Sequence, residues 1–267
     1  MSEVNTIDQL LDEMWKDYIK LNPGAQKIVE LFEARGDKVI NDHIALRTFN
    51  LKKVGIDALA KPFLASGYVE SGEYHFEEKK LYAKHFQHPD KTKPKIFISE
   101  LLVEKFSDKL QATVKKIVEQ IPAENIEKFD FTCSGRSWEV ASSTYEELYA
   151  ESEYAAWLSA IGYRPNHFTV FVNELESFKS LEELNEALKS AGFALNDSGG
   201  EIKGSADVYL EQSSTKADKI TVNFSDKEMT IPSCYFEFAK RYPQENGELY
   251  QGFVAKSADK IFESTNR

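Results

Sequence analysis

One arrangement of the chain occurs twice in this sequence, and it limits the folds that the chain can adopt. A run typical of a β-strand carries a histidine near its start, at His43 in the first copy and at His167 in the second. Each strand precedes a stretch with helical periodicity that ends at a glycine, Gly67 or Gly192, and several strand-like runs come after it. The number of residues from the first histidine to the second is nearly the same as that from the first glycine to the second. The sequence therefore indicates an internal repeat of a βαβββ unit.

The repeat predicts an α+β fold in which two βαβββ modules form a curved, partly closed sheet around a cleft, preceded by N-terminal helices. We expect a single domain over residues 1–267, made of a helical lead-in (1–37), a first module (38–105), a helical connector (106–161), a second module (162–240) and a tail (241–267). In the second module, strand-like runs after the helix cover residues 206–210, 219–224 and 233–238.

Composition and charge argue against several classes of function. The 267 residues include 33 basic and 44 acidic side chains, so the formal net charge is −11. This balance argues against nucleic acid or a membrane surface as the main partner, although an arginine or a metal ion can still attract an anionic small molecule into a cleft. The N-terminus lacks the apolar segment of a secretory signal, no apolar run is long enough to span a bilayer, and the two cysteines are far apart. We therefore expect a cytoplasmic protein.

The first strand of the repeat, residues 41–50, places two polar side chains on one face. Side chains alternate along a strand, so His43, Ala45 and Arg47 share one face and Ile44 and Leu46 share the other. An imidazole and a guanidinium that face inward are costly unless each has a partner. A metal ion on the histidine and an anionic substrate on the arginine would supply those partners. The alternative is a surface strand with two solvated side chains.

The second histidine of the repeat favours a metal site. If a pseudo-twofold axis relates the modules, His43 and His167 converge on the cleft. A third ligand is expected from a late strand, where Glu237 lies between two phenylalanines. A carboxylate buried there is costly unless a cation pairs with it, and the alternative is that Glu237 points to solvent. Glu100 of the first half is the second candidate. Two histidines and one carboxylate form the facial triad that suits non-haem Fe(II), although zinc, manganese, cobalt or nickel can take the same ligands.

The remaining histidines and two late basic residues form weaker patterns. His85 and His88 are three positions apart and would point to opposite faces of a strand, so they chelate poorly together. With His75, we expect them near the mouth of the cleft or on the surface. Lys240 and Arg241 come closely after the candidate glutamate, and we expect two solvated charges at the end of a strand.

Three short motifs together resemble those of one known family. They are His43-x-x-x-Arg47 on the first strand, Asn166-His167 on the second, and Tyr235-Phe236-Glu237 near the end. In their order and spacing, after the leading helices, they resemble the 2-oxoadipate dioxygenase/decarboxylase family, also called 2-hydroxyglutarate synthases. Members are VOC-like (vicinal-oxygen-chelate), Fe(II)-dependent enzymes of lysine catabolism, and the resemblance covers most of this chain.

The resemblance implies a ligand set, a substrate class and a reaction. His43, His167 and Glu237 would hold Fe(II), and Arg47 would bind a carboxylate of a small 2-oxo acid. With dioxygen, 2-oxoadipate would give 2-hydroxyglutarate and carbon dioxide. The better-known members are much longer, which leaves open that this chain accepts a similar but different 2-oxo acid. The alternatives are another metal-dependent VOC-type lyase, isomerase or hydrolase, and a non-enzymatic protein that binds a small acid.

Overall fold

Two helices lead the chain in the computed structural model, which describes residues 4–265. They are α1 (Ile7–Leu21) and α2 (Pro23–Glu33). The first begins in a capping box, in which the Thr6 hydroxyl accepts from the backbone N–H of Gln9 and the Gln9 side chain accepts from that of Thr6. Pro23 cannot donate a backbone hydrogen bond, so α1 ends before it and α2 begins there.

The first module has one strand, one helix and three further strands. These are β1 (Asn41–Phe49), α3 (Ile56–Ala65), β2 (Val69–Phe76), β3 (Leu81–Gln87) and β4 (Lys95–Leu101). The strand β1 pairs in parallel with β4, whereas β2 with β3 and β3 with β4 are antiparallel.

The second module comes after four connecting helices. The connector contains α4 (Asp108–Glu119), α5 (Ala123–Ile126), α6 (Ser142–Glu151) and α7 (Glu153–Ile161). The second module and the tail contain β5 (Pro165–Phe171), α8 (Leu181–Ser190), β6 (Lys203–Ser205), β7 (Leu210–Ser214), β8 (Lys219–Asn223), β9 (Glu228–Pro232), β10 (Tyr235–Arg241) and α9 (Ala255–Ile261).

Within residues 4–265, one sheet of eight strands contains both modules, in the order β2-β3-β4-β1-β5-β10-β7-β6. The antiparallel pairing of β1 with β5 joins the two halves, and each half repeats the same internal order around this junction. The predicted pair of βαβββ modules in one curved sheet is therefore confirmed. The helix α9 contacts β2, at one edge of the sheet, as well as β6 and β7 at the other, so it closes the concave side.

The predicted strands of the second module are partly wrong. Residues 219–223 form a strand but pair only with β9, in a two-stranded hairpin separate from the large sheet. Residues 206–208 form a short 3-10 turn, and the sheet strand β7 begins at Leu210. Alternating hydrophobicity identifies an extended segment but not the strand that pairs with it. Here the segment pairs with the neighbouring strand β9 and not with a strand of the large sheet.

The large sheet has two faces with different neighbours. The paired residues His43, Thr169 and Glu237 lie on the concave side, which we call the inner face. The opposite, outer face packs against α1, where Trp15 contacts Phe168 with the ring centroids 5.0 Å apart. Aromatic side chains pack on both sides of the sheet, since on the inner side Phe253 lies 4.8 Å from the His43 ring and 4.9 Å from the Phe97 ring, centroid to centroid. No helix within the described residues is both long and apolar enough to cross a membrane.

Candidate metal centre

Three side chains from the adjacent strands β1, β5 and β10 converge on the inner face. His43, His167 and Glu237 each offer a ligand atom, and these atoms lie within 4.8 Å of one another. All three residues are buried, with exposed fractions of 2%, 4% and 1%. Sheet register explains the convergence, because His43 and Glu237 flank Thr169 of β5, and His167 lies two residues from Thr169 on the same face. The structure thus brings together the residues that the sequence predicted as metal ligands.

His43 is held with its Nε2 lone pair toward this group. Its Nδ1–H donates to Asp42 Oδ1 at 2.8 Å, which fixes the proton on Nδ1. Nε2 accepts a hydrogen bond from the Thr169 hydroxyl at 3.0 Å and lies 3.6 Å from Glu237 Oε1. Burial lowers the pKa of His43, so the ring is neutral, as a metal ligand must be.

His167 is arranged in a similar way. Its Nδ1 lies 3.3 Å from Asn166 Oδ1, and its Nε2 lies 3.2 Å from Glu237 Oε2. The ring stacks on Tyr235 with the centroids 4.6 Å apart. Burial, together with repulsion from His43 and Arg47, holds the pKa of His167 well below its usual range. Both imidazoles are therefore neutral and both direct Nε2 to the carboxylate.

Glu237 lies on the inner face, not in solvent. Its Oε1 accepts from Gln212 Nε2 at 2.5 Å, and burial raises the pKa of the carboxyl group to about 8. Burial thus favours the neutral form of this carboxyl group. A divalent ion bound by the two imidazoles would instead stabilise the carboxylate, and two nitrogens with one oxygen form the donor set of a facial triad. The three residues thus fit a first-row divalent metal.

A buried ion pair between Asp42 and Arg241 holds the carboxylate to which His43 donates. The Arg241 guanidinium donates from Nε to Asp42 Oδ2 at 2.6 Å and from Nη2 to Asp42 Oδ1 at 2.8 Å. It also donates from Nη1 to the carbonyl oxygens of Tyr250 and Gly252. Burial would raise the pKa of Asp42, but the charge of Arg241 holds it well below its usual range. The expectation of a solvated charge at Arg241 is wrong.

Arg47 lies buried on the inner face of β1, as predicted, and the alternative of a solvated surface strand is wrong. Its Nη1 donates to Glu153 Oε1 at 3.1 Å, and its Nη2 donates to the Thr265 hydroxyl at 3.1 Å. The guanidinium also lies over the rings of Tyr154 and Trp157. Its Nε has no hydrogen-bond partner among the described residues.

The remaining histidines, His75, His85 and His88, do not belong to the group of three candidate ligands. His75 is exposed and His88 is half-buried, as expected. His85 is 1% exposed, which contradicts the expectation that it lies at the cleft mouth or on the surface. Its Nδ1 is 2.9 Å from the Tyr74 hydroxyl and its Nε2 is 2.8 Å from Gln87 Nε2, and burial lowers its pKa to about 4.

Glu100, the second candidate for the carboxylate ligand, has a different place. It accepts from the backbone N–H of Ile56 at 3.0 Å, at the first turn of α3. A carboxylate there stabilises the helix through its dipole. Glu100 is therefore a helix-capping residue and not part of the candidate metal centre.

Sequence reasoning missed Asp42, Arg241 and Gln212, which orient the ligands. Arg241 had a signal, because strand alternation places residues 237, 239 and 241 on the same face. Gln212 had none, since its contact with Glu237 depends on the pairing of β7 with β10.

Comparisons with known proteins agree with this geometry. The 2-oxoadipate dioxygenase/decarboxylase family matches residues 1–248 of the chain. The chloroplastic 2-oxoadipate dioxygenase/decarboxylase of Arabidopsis thaliana is 38% identical over 285 aligned positions, which cover 96% of this chain and 76% of that protein.

Two crystal structures have nearly the same fold. The hydroxyglutarate synthase of Oryza sativa, in complex with 2-oxoadipate, has a TM-score of 0.90 and 34% identity over 99% of this chain and 96% of that one. A protein of Shewanella frigidimarina, described as a candidate hydrolase, has a TM-score of 0.91 and 55% identity over 95% of this chain and 100% of that one. By sequence match and by fold, the chain belongs to the 2-oxoadipate dioxygenase/decarboxylase family.

Proposed function

We propose that this chain is an Fe(II)-dependent dioxygenase/decarboxylase of 2-oxoadipate or a similar 2-oxo acid. The observation that carries the proposal is the convergence of His43, His167 and Glu237 on the inner face of the sheet, with Arg47 further along the same strand as His43. Family membership supports the substrate class, because the rice relative was crystallised with 2-oxoadipate.

His43, His167 and Glu237 are the residues that would hold the iron. When bound, Fe(II) supplies the redox chemistry that the reduction of dioxygen requires. The chain contributes neutral imidazoles, a carboxylate whose orientation Gln212 fixes, and an interior from which water is excluded. The overall reaction is balanced: 2-oxoadipate and dioxygen give 2-hydroxyglutarate and carbon dioxide, with both oxygen atoms retained in the two products.

Arg47 is the residue that we expect to bind the distal carboxylate of the substrate. His43 and Arg47 are four residues apart on β1, which separates their Cα atoms by roughly 13 Å, a span that the two side chains and a dicarboxylate can bridge. Glu153 uses only the Nη1 side of the guanidinium, and Thr265 uses Nη2 through a neutral hydroxyl. The Nε–Nη2 edge, which is the edge for bidentate binding of a carboxylate, becomes available once the Thr265 hydroxyl yields.

The test is oxygen uptake by protein purified without a metal-affinity tag, loaded anaerobically with Fe(II) and given 2-oxoadipate. Uptake that requires both iron and the 2-oxo acid, with release of one carbon dioxide per dioxygen, is the expected result. Product formation without dioxygen would instead indicate a VOC-type lyase, isomerase or hydrolase. Ligand binding that survives complete removal of metal by EDTA, with no turnover, would indicate a small-acid-binding protein. The place of the reaction in lysine catabolism and the cytoplasmic location stay predictions.

A further inference from the structure

Tyr235 has a buried hydroxyl group that the fold leaves without a hydrogen bond. Its side chain is fully buried, and its Oη has no partner among residues 4–265. Most buried polar groups in native proteins are paired, because an unpaired hydroxyl costs about 1–3 kcal/mol. An unpaired hydroxyl next to a candidate metal ligand is therefore free to pair with a bound molecule.

The position of this hydroxyl indicates where such a partner binds. Tyr235 begins β10 on the inner face, opposite His167 in the strand register, and its ring stacks on that imidazole. On its other side, His167 pairs with Ala45 of β1, and Arg47 lies two residues further along β1 on the same face. The tyrosine therefore lies next to a candidate metal ligand and on the same face of the sheet as the candidate carboxylate-binding arginine.

A second unpaired donor belongs to Arg47. Its Nε is buried and also lacks a partner among the described residues, while Nη1 is engaged by Glu153. Two unpaired donors, a hydroxyl and a guanidinium N–H, therefore lie on the inner face, on the two strands that flank β5. An anionic acceptor of small size, such as a carboxylate, satisfies both at once.

We propose that the Tyr235 hydroxyl donates a hydrogen bond to the distal carboxylate of the 2-oxo acid, the same carboxylate that Arg47 binds. This inference rests on the proposed function and adds to it a second residue for recognition of the dicarboxylate. Tyr235 would then favour substrates with a second carboxylate over monocarboxylic 2-oxo acids of the same chain length. Its stacking on His167 would also keep the recognition site at a fixed distance from the metal centre.

The experiment compares Tyr235→Phe with wild-type protein, since this change removes only the hydroxyl. Anaerobic titration calorimetry of the Fe(II)-loaded proteins measures Kd for 2-oxoadipate and for 2-oxohexanoate, which has the same chain length but no distal carboxylate. We expect Kd for 2-oxoadipate to rise about 10- to 100-fold, as for loss of a hydrogen bond to a charged group, and Kd for 2-oxohexanoate to stay unchanged. The Tm of the ligand-free protein should stay equal or rise.

The matched control is Tyr163→Phe. Tyr163 is also buried and its hydroxyl likewise lacks a partner among the described residues, but its ring packs on Phe131 and Trp138 and not on a candidate metal ligand. This variant should bind both ligands as the wild type does.

Several results would overturn the proposal. Equal Kd values for Tyr235→Phe and wild type, or an equal loss of affinity for both ligands, would show that the hydroxyl does not recognise the distal carboxylate. A lower Tm or a failure of Tyr235→Phe to fold would show that the hydroxyl already has a partner in the folded chain. Wild-type protein that does not bind 2-oxoadipate at all would overturn the proposed function, and this inference with it.

Discussion

The inner and outer faces of the large sheet belong to the same strands but bury different groups. On the outer face, Phe168 and Phe236 lie in an aromatic cluster with Trp15 and Tyr18, with ring centroids 4.9–6.5 Å apart. On the inner face, the same strands carry His167 and Glu237 and the unpaired hydroxyl of Tyr235. Alternation along a strand makes this division possible, because neighbouring residues of β5 and β10 point to opposite sides.

The difference shows which part of the molecule stabilises the fold and which part costs stability. Burial of apolar area on the outer face contributes roughly 25 cal/mol per Å². The inner face holds a carboxyl group away from water, two neutral histidines and unpaired donors, each of which opposes folding. A substitution in the aromatic cluster of the outer face should therefore reduce stability and spare the metal, and a substitution of His43, His167 or Glu237 on the inner face should do the reverse. Single substitutions on each face can test this division.

The largest effect is expected from loss of a metal ligand. His167→Ala removes one of three ligand atoms, so we expect it to abolish tight binding of Fe(II) and to reduce oxygen uptake with 2-oxoadipate by roughly 1000-fold or more. Metal analysis and an oxygen electrode measure both. The control is His85→Ala, since His85 is equally buried but lies outside the group of three, and this variant should retain its metal. Loss of metal from His85→Ala with retention in His167→Ala would reject the ligand set.

The second prediction concerns the pH dependence of stability in the metal-free protein. Burial raises the pKa of Glu237 from its ordinary value of 4.5 to about 8. Between these values the unfolded chain ionises and the folded chain does not, so stability falls as pH rises, by about 1.4 kcal/mol per pH unit and on the order of 5 kcal/mol over the whole window. Denaturant titrations at several pH values measure the slope, which should be absent in Glu237→Gln.

His43 and His167 also contribute to the pH dependence of stability. Burial lowers the pKa values of His43 and His167, so below pH 6.5 their contribution to stability rises with pH and opposes that of Glu237. Above pH 6.5 this contribution fades as the unfolded histidines lose their protons, so up to about pH 8 the difference in slope between wild type and Glu237→Gln isolates the carboxyl group. An equal slope in wild type and Glu237→Gln in this interval would show that the carboxyl is already ionised without metal.

Local patterns predicted much of the inner face, and pairing between distant residues explains what they missed. His43, Arg47 and His167 were identified because a period of two assigns a face to each strand residue, and the repeat indicated which faces meet. The burial of Arg241 depends on Asp42, 199 positions away in the chain. No local pattern contains such a contact, so a residue at the end of a strand next to a polar tail was interpreted as solvated.

The same reason explains the error at residues 219–223. The segment alternates as a sheet strand does, yet it pairs with β9 through a short local connection. Loop closure costs less for near partners than for distant ones, which favours a hairpin when both are available. The sequence specified an extended conformation correctly, but the choice of partner depended on the whole fold.

The third prediction tests the outer face. Phe236 is fully buried and contacts Trp15 and Tyr18, so Phe236→Ala should reduce the free energy of unfolding by about 3–5 kcal/mol through lost burial and a cavity. The affinity of the folded protein for Fe(II) should change little, although Glu237 is the next residue. Leu64→Ala, at a site that is 46% exposed, is the control and should stay within about 0.5 kcal/mol. A large loss of metal affinity in folded Phe236→Ala would show that the two faces are not independent.

The smallest effect is expected at Asp42, which does not belong to the ligand group but orients one member of it. Asp42→Asn keeps the shape of the side chain and an oxygen that can accept from His43 Nδ1–H, but it removes the charge that makes this imidazole a better ligand. We expect a loss of 10- to 100-fold in metal affinity, on the order seen for such supporting carboxylates. Competition with a chromophoric chelator measures it.

Asp37→Asn is the matched control for this change. Asp37 is also buried and accepts hydrogen bonds, from the backbone N–H groups of Glu176 and Ser177. Its replacement should cost stability without affecting the metal. If Asp42→Asn bound metal as tightly as Asp37→Asn, the ion pair between Asp42 and Arg241 would stabilise the fold without affecting the metal. The inner face would then contain both stabilising and functional residues, and the two roles would not divide between the two faces.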